Sequence, residues 1–266
     1  MIRRGKREGW LNLPPSAVRP WAGLNGVTFD GVKIGSIAGR GTGVVASRVL
    51  KGGNEGPLMV IPGDLILSLE RVELQAKSDQ KLQELLSTLG DYARTTRGAI
   101  LVFLLRQATI ANPQVTETIG TINPFTEYIK FLPEEMLPTF WTEEERALLM
   151  GTSLHPALEA KLTSLQKEFD NVRTATENIP WCSKYWWGVG TGLLSFDDWL
   201  QVDAMYRSRA LEFPGIGDSM VPCIDMANHA SGDGTAALYE TDGHGNGVLL
   251  LRDGSDLTEG QEVTIT

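Results

Sequence analysis

An α+β fold is predicted for this 266-residue chain from how its patterns are distributed. Both ends read as short strands and turns, and the middle reads as amphipathic helices. No internal repeat, coiled coil or low-complexity segment interrupts either pattern. The expected organisation is a β-rich part at 1–75, a helical stretch at 76–205 and a second β-rich part at 206–266. A sheet built from both ends must close across that helical middle. This is tolerable when the middle folds by itself, because closure entropy grows only as the logarithm of length.

The first part earns its strands from "GVTFDGVKIGSIAGRGTGVVASRV", where glycines recur between β-branched positions, and from "PLMVIPGDLILSL", two apolar runs broken at Pro62-Gly63. The middle opens with Leu82, Leu85, Leu86 and Leu89 at helical spacing, behind Ser78 as the opening residue. Thr142 with Glu145, and Ser195 with Asp198, have capping-box spacing. Leu158, Leu162, Leu165 and Phe169 form an apolar helix stripe, best read as packing. The last part returns to strands at "TAALYETDGHGNGVLLLRDG", two runs around a glycine-rich turn, and ends on a strand from Glu262 to Thr266.

Composition narrows the function. Hydrophobic residues at 42% and charged residues at 21% are ordinary for a globular protein that buries a real core. A formal charge of −9 argues against non-specific nucleic-acid binding, which needs a basic surface to displace counterions. Cys182 and Cys223 are too few for a disulfide framework, so a reducing compartment is expected. The basic start "MIRRGKREGWLNLPP" lacks the apolar stretch of a secretory signal, and "AILVFLL" at 99–105 is far short of a membrane span. A soluble intracellular protein is expected.

Gly39, Gly41 and Gly43 in "AGRGTGVVA" form G-x-G-x-G followed by Val44 and Val45, which favour a strand. The dinucleotide fingerprint requires a helix there, so the segment reads as a hairpin turn or as bare backbone that a ligand can approach. "VPCIDMANHA" sets Asp225, Asn228 and His229 among apolar neighbours. Asp225 and His229, four apart, would meet on one helical turn as metal ligands do, but with His155 and His244 as the other histidines no further ligand is near. No metal is expected. Cys223, a candidate nucleophile beside His229, lies in an apolar run where thiols are inert. Arg207 and Arg209 sit at a helix end, where they either stabilise its C-terminus or clamp a carboxylate.

Taken in order, these segments resemble the SET-domain protein methyltransferases of the Rubisco large-subunit methyltransferase type, over nearly the whole chain. The residues that carry the resemblance are the Gly-Arg-Gly turn within 26–53, "NPFTEYIKFLPEEMLPTFWTEEERALLMGTSL", "YRSRALEF", "SMVPCIDMANHA" and "LTEGQEVTIT". It implies a SET-type β-rich fold with a large helical insertion, and S-adenosyl-L-methionine as cofactor. It also implies that Asn228 and His229 bond the adenine and methionine parts, and that backbone at Gly39, Arg40, Gly41 and Thr42 meets the amino-acid end. Arg209 would face the cofactor carboxylate, with Asp225 as a supporting residue.

The implied activity is methylation of a lysine on a protein substrate by a monomer in the cytoplasm or nucleus, with no nucleic acid or membrane as partner. A lysine near pKa 10.4 must first lose a proton, at a cost of about 4 kcal/mol at pH 7.4. Desolvation in an apolar channel lowers that cost, and alignment of amine and methyl supplies much of the rest. The family's closing motif continues to a Tyr and then to a helical domain. Here that Tyr would follow Thr266, so a truncated product or a degenerate member is expected. The alternatives are a catalytically silent module that binds cofactor or protein, and a protein-histidine methyltransferase.

Overall fold

The computed structural model describes residues 13–133, 137–190 and 192–266. Most of the basic amino-terminal stretch, and residues 134–136 of the segment beginning "NPFTEYIKF", lie outside them. The described residues divide into two compact units, one including 13–72 with Arg209–Thr266, the other within Glu73–Ser208.

The first unit opens with helix α1 (Val18–Leu24), which buries Trp21 and Ala22. From the front of the chain come β1 (Thr28–Phe29), β2 (Val32–Ile37), β3 (Gly41–Ala46), β4 (Leu50–Lys51) and β5 (Met59–Ile61). From the back come β6 (Ala210–Phe213), β7 (Gly217–Met220), β8 (Ala237–Thr241), β9 (Gly247–Leu251), β10 (Asp256–Leu257) and β11 (Glu262–Val263). The sheets run β1-β5-β9-β8, β11-β3-β2, β10-β4 and β6-β7. Front and back strands pair antiparallel, Met59 opposite Leu249, Leu50 opposite Leu257 and Val44 opposite Val263. The two ends of the chain are therefore sealed into shared sheets. Val44, Ala46, Leu50, Met59, Ile61, Leu249, Val263 and Ile265 form their buried face.

The second unit is helical: α2 (Leu69–Ala76), which begins in the first unit, then α3 (Gln80–Leu89), α4 (Thr96–Ala111), α5 (Pro124–Phe131), α6 (Glu143–Ala147), α7 (Leu154–Thr176), α8 (Pro180–Tyr185) and α9 (Phe196–Arg209). The Thr142–Glu145 box forms in both directions, as does the Ser195–Asp198 pair. Ser78 does not open α3. It turns back onto the Gln75 carbonyl, and Asp79, in an extended conformation, takes the Leu82 N–H at 3.0 Å. On α7, Leu158, Leu165 and Phe169 are buried while Leu162 is only half so. The apolar run 99–105 lies in α4, buried on every side from Gly98 to Thr109, which is how a helix without a polar face is stabilised. No described helix is long and apolar enough to cross a membrane.

One ion cluster ties three of these helices. Arg97 of α4 pairs with Glu168 of α7 at 2.6 Å and with Asp203 of α9 at 2.6 Å, and Trp199 Nε1 donates to Glu168 at 3.2 Å. Asp203 is buried, while Arg97 and Glu168 keep about a quarter of their side-chain surface. Arg97→Met leaves both carboxylates short of their main partner. The expected loss is about 2 kcal/mol of unfolding free energy, below the fully buried value because water still reaches the pair. Urea unfolding of the variant measures it.

Candidate functional site

The β2–β3 hairpin is tight. Arg40 N–H donates to the Ile37 carbonyl at 3.0 Å, and Ile37 pairs with Gly41 across the strands. Gly39 and Gly41 hold φ of 73° and 77°, a region that strains any residue with a Cβ. A Cβ at either would meet nothing within 4 Å, so the bare backbone of the tip borders open space. Thr42 enters β3 opposite Ser36. At Gly43, by contrast, a Cβ would run into Ile37 Cδ1 and come within 3.0 Å of Asn228 Nδ2.

The segment after β7 approaches from the other end of the chain. Cys223 adopts φ 75°, strained for a residue with a side chain, and is followed by a single 3-10 turn, Ile224–Met226, that packs against β3. Ala227 is already extended, so Asp225 and His229 do not share a helical turn. His229 instead bridges in parallel to Ile265. The metal geometry considered for that pair does not form, and no described group of three His, Cys, Asp or Glu side chains is placed to hold an ion. Burial pushes the Cys223 thiol well above its ordinary range, away from the reactive thiolate.

Two clusters gather the expected residues. Arg209, the last residue of α9, donates from Nη1 to the Asp225 carbonyl at 3.0 Å, and Asp225 itself is buried. Arg207 lies in the helical unit, whereas Arg209 begins the other. In the second cluster, Arg40 at the hairpin tip reaches the His229 carbonyl at 3.1 Å through Nη2 and Glu262 Oε2 at 2.7 Å through Nη1. Asn228 Nδ2 donates to Glu262 Oε1 at 2.7 Å, and the Asn228 carbonyl accepts from Ile265 N–H at 3.0 Å. His229 is exposed.

Gly39–Thr42 and Asn228–His229, 189 positions apart at the Arg40–His229 bond, are thus joined edge to edge. Glu262 adds a second link, bonding Arg40 on one side and Asn228 on the other, and the sequence named it only as the start of the closing strand. In the structure it stands opposite Val45 in that strand. Gly43, the last glycine of the cluster read in the sequence, bears on the site through its closeness to Asn228.

The arrangement has a definite chemistry. Glycine backbone at the tip lets a ligand approach closely, and Asn228, its Nδ2 given to Glu262, adds a neutral acceptor in Oδ1. Arg40 is already committed to Glu262 and to the His229 carbonyl. A separate groove of about 680 Å³ on the helical unit, between α6, α7 and α9, contains none of these residues.

No family model matches the chain. SET domain-containing protein 8 of Schizosaccharomyces pombe is 28% identical over 144 residues, 54% of this chain and 30% of that protein. Among solved structures, the SET domain of LSMT bound to lysine and AdoHcy superposes with a TM-score of 0.70 at 19% identity. Rubisco LSMT bound to sinefungin and monomethyllysine gives 0.69 at 20%. Rubisco LSMT bound to AdoMet gives 0.70 at 19%. Each match covers 96% of this chain and 53% of the other, so the chain spans about half the length of those structures. With strands from both ends of the chain paired in shared sheets, the chain has the SET-domain fold.

Proposed function

We propose that this protein is an S-adenosyl-L-methionine-dependent protein-lysine N-methyltransferase. The observation that carries the reading is the junction of the Gly39–Thr42 tip with Asn228–His229 in a fold shared with structures that hold AdoMet, AdoHcy and lysine. The residues fit such a cofactor: the tip has room where side chains would stand, and Asn228 keeps its Oδ1 as an acceptor. When bound, the cofactor supplies an electrophilic methyl group on a sulfonium.

The chain's own residues would then have distinct tasks. The tip backbone and the Asn228 amide hold the amino-acid end. Asn228–His229 backbone borders the adenine. Arg209 would face the cofactor carboxylate, and its bond to the Asp225 carbonyl supports the 3-10 turn that leads into the Asn-His pair. The substrate is a lysine of a protein. We place the protein in the cytoplasm or nucleus and read it as a monomer, and the first of these draws support from Cys182 and Cys223 being free and buried.

The test is calorimetric titration of S-adenosylmethionine into the purified chain, with Asn228→Ala alongside. Saturable binding weakened at least about tenfold in the variant is expected, since a hydrogen bond to a charged group contributes roughly 1.5–3 kcal/mol. No binding by the folded wild-type chain refutes the reading. Transfer of labelled methyl to lysate proteins, followed by mass spectrometry, separates lysine from histidine products and both from a silent module.

A further inference from the structure

Glu262 is the hub of the candidate site, and its chemistry constrains Asn228. A carboxylate paired with a guanidinium only accepts hydrogen bonds, so the Asn228 NH₂ must be the end of the amide that faces it. Oδ1 is thereby turned to the opposite side. Without such a partner the two ends of an asparagine amide are nearly isosteric and can exchange places. Arg40 fixes Glu262 in turn, holding its second oxygen at 2.7 Å while bonding the His229 carbonyl. Gly43 completes the frame by leaving the space into which Asn228 Nδ2 fits.

Building on the cofactor reading above, we infer that Glu262 is a positioning residue that sets Asn228 to present an acceptor, and so makes the site select the protonated α-amino group of the cofactor's amino-acid end. Glu262 acts through Asn228 and does not touch the ligand. In Glu262→Gln the side chain keeps its shape but can donate as well as accept. Arg40 loses its ion pair, and the Asn228 amide is free to turn its NH₂ toward the ligand ammonium, where donor would face donor.

The experiment compares two probes by calorimetry on wild type, Glu262→Gln and Arg40→Met. One is S-adenosylmethionine; the other is methylthioadenosine, which lacks the amino-acid end. Glu262→Gln is expected to weaken S-adenosylmethionine by about tenfold or more while changing methylthioadenosine less than about twofold, because only the first offers an ammonium to Asn228. Arg40→Met, which loosens Glu262 without removing it, is expected to shift the same way by a smaller factor, and it carries the test should Glu262→Gln not fold.

Equal weakening of both probes would overturn the inference, because it would mean general damage to the pocket. Unchanged S-adenosylmethionine binding in Glu262→Gln, with Asn228→Ala still defective, would overturn it and leave the cofactor reading standing. Failure of the wild-type chain to bind either probe would remove both.

Discussion

Arg106→Met is expected to lower the unfolding free energy by about 3–5 kcal/mol, the usual cost of removing one partner from a buried ion pair. Arg106 lies in α4 and is 1% exposed. Its Nη2 donates to Asp79 Oδ2 at 2.7 Å and to the Ile119 carbonyl at 2.6 Å. Burial lowers its pKa from the ordinary arginine value, against the pull of Asp79. Asp79 serves twice, since its other oxygen caps α3 through the Leu82 N–H. Methionine would keep the apolar stem and strand the Asp79 carboxylate and the Ile119 carbonyl.

Gly120→Ala probes the same contact from the other side. A Cβ there would fall on the Arg106 guanidinium, with Cζ at 2.6 Å. The guanidinium cannot swing away without leaving Asp79, so a loss of similar size is expected. The two changes should not add. Once Arg106 is methionine the obstacle is gone, and the double variant should be no less stable than Arg106→Met alone. Urea unfolding of the three variants decides it, and a Gly120→Ala cost under about 1 kcal/mol would show that the guanidinium is not pinned.

The sequence carried the architecture because the two periodicities are local. Val44 and Ala46 read as strand, and Leu82, Leu85 and Leu89 read as helix, without reference to distant residues. Long-range polar partners had no such signal. Nothing around Arg106 names Asp79, 27 positions upstream, and Ser78 and Asp79 are equally good cap types one residue apart, so composition alone does not choose between them. Asp225 and His229 at a spacing of four suggested a helical turn, but the strained Cys223 starts a turn of only three residues, and the chain leaves it extended. The candidate site was legible as two motifs, the glycine tip and Asn228–His229. The bonds between them were not, because Arg40, His229, Asn228 and Glu262 come from three segments that meet only in the folded chain.

Gly43→Ala should separate the fold from the site. The position has ordinary strand φ, so the added methyl strains no backbone and its effect is purely one of space. It meets Ile37 Cδ1 and, at 3.0 Å, Asn228 Nδ2. These neighbours differ in freedom. Ile37 ends β2 half-exposed and can turn toward solvent, so the stability loss should stay near the low end of the roughly 1–3 kcal/mol that overpacking costs. Asn228 can yield only by lengthening its 2.7 Å bond to Glu262, the bond that orients its amide. S-adenosylmethionine affinity should therefore fall by at least about tenfold, the worth of one hydrogen bond to a charged group. Adding Ile37→Ala to Gly43→Ala removes the first obstacle and leaves the second. The pair should recover the thermal midpoint while binding stays weak. Recovery of both would mean that the methyl acts through Ile37, and that the gap at Gly43 serves the hairpin rather than the amide.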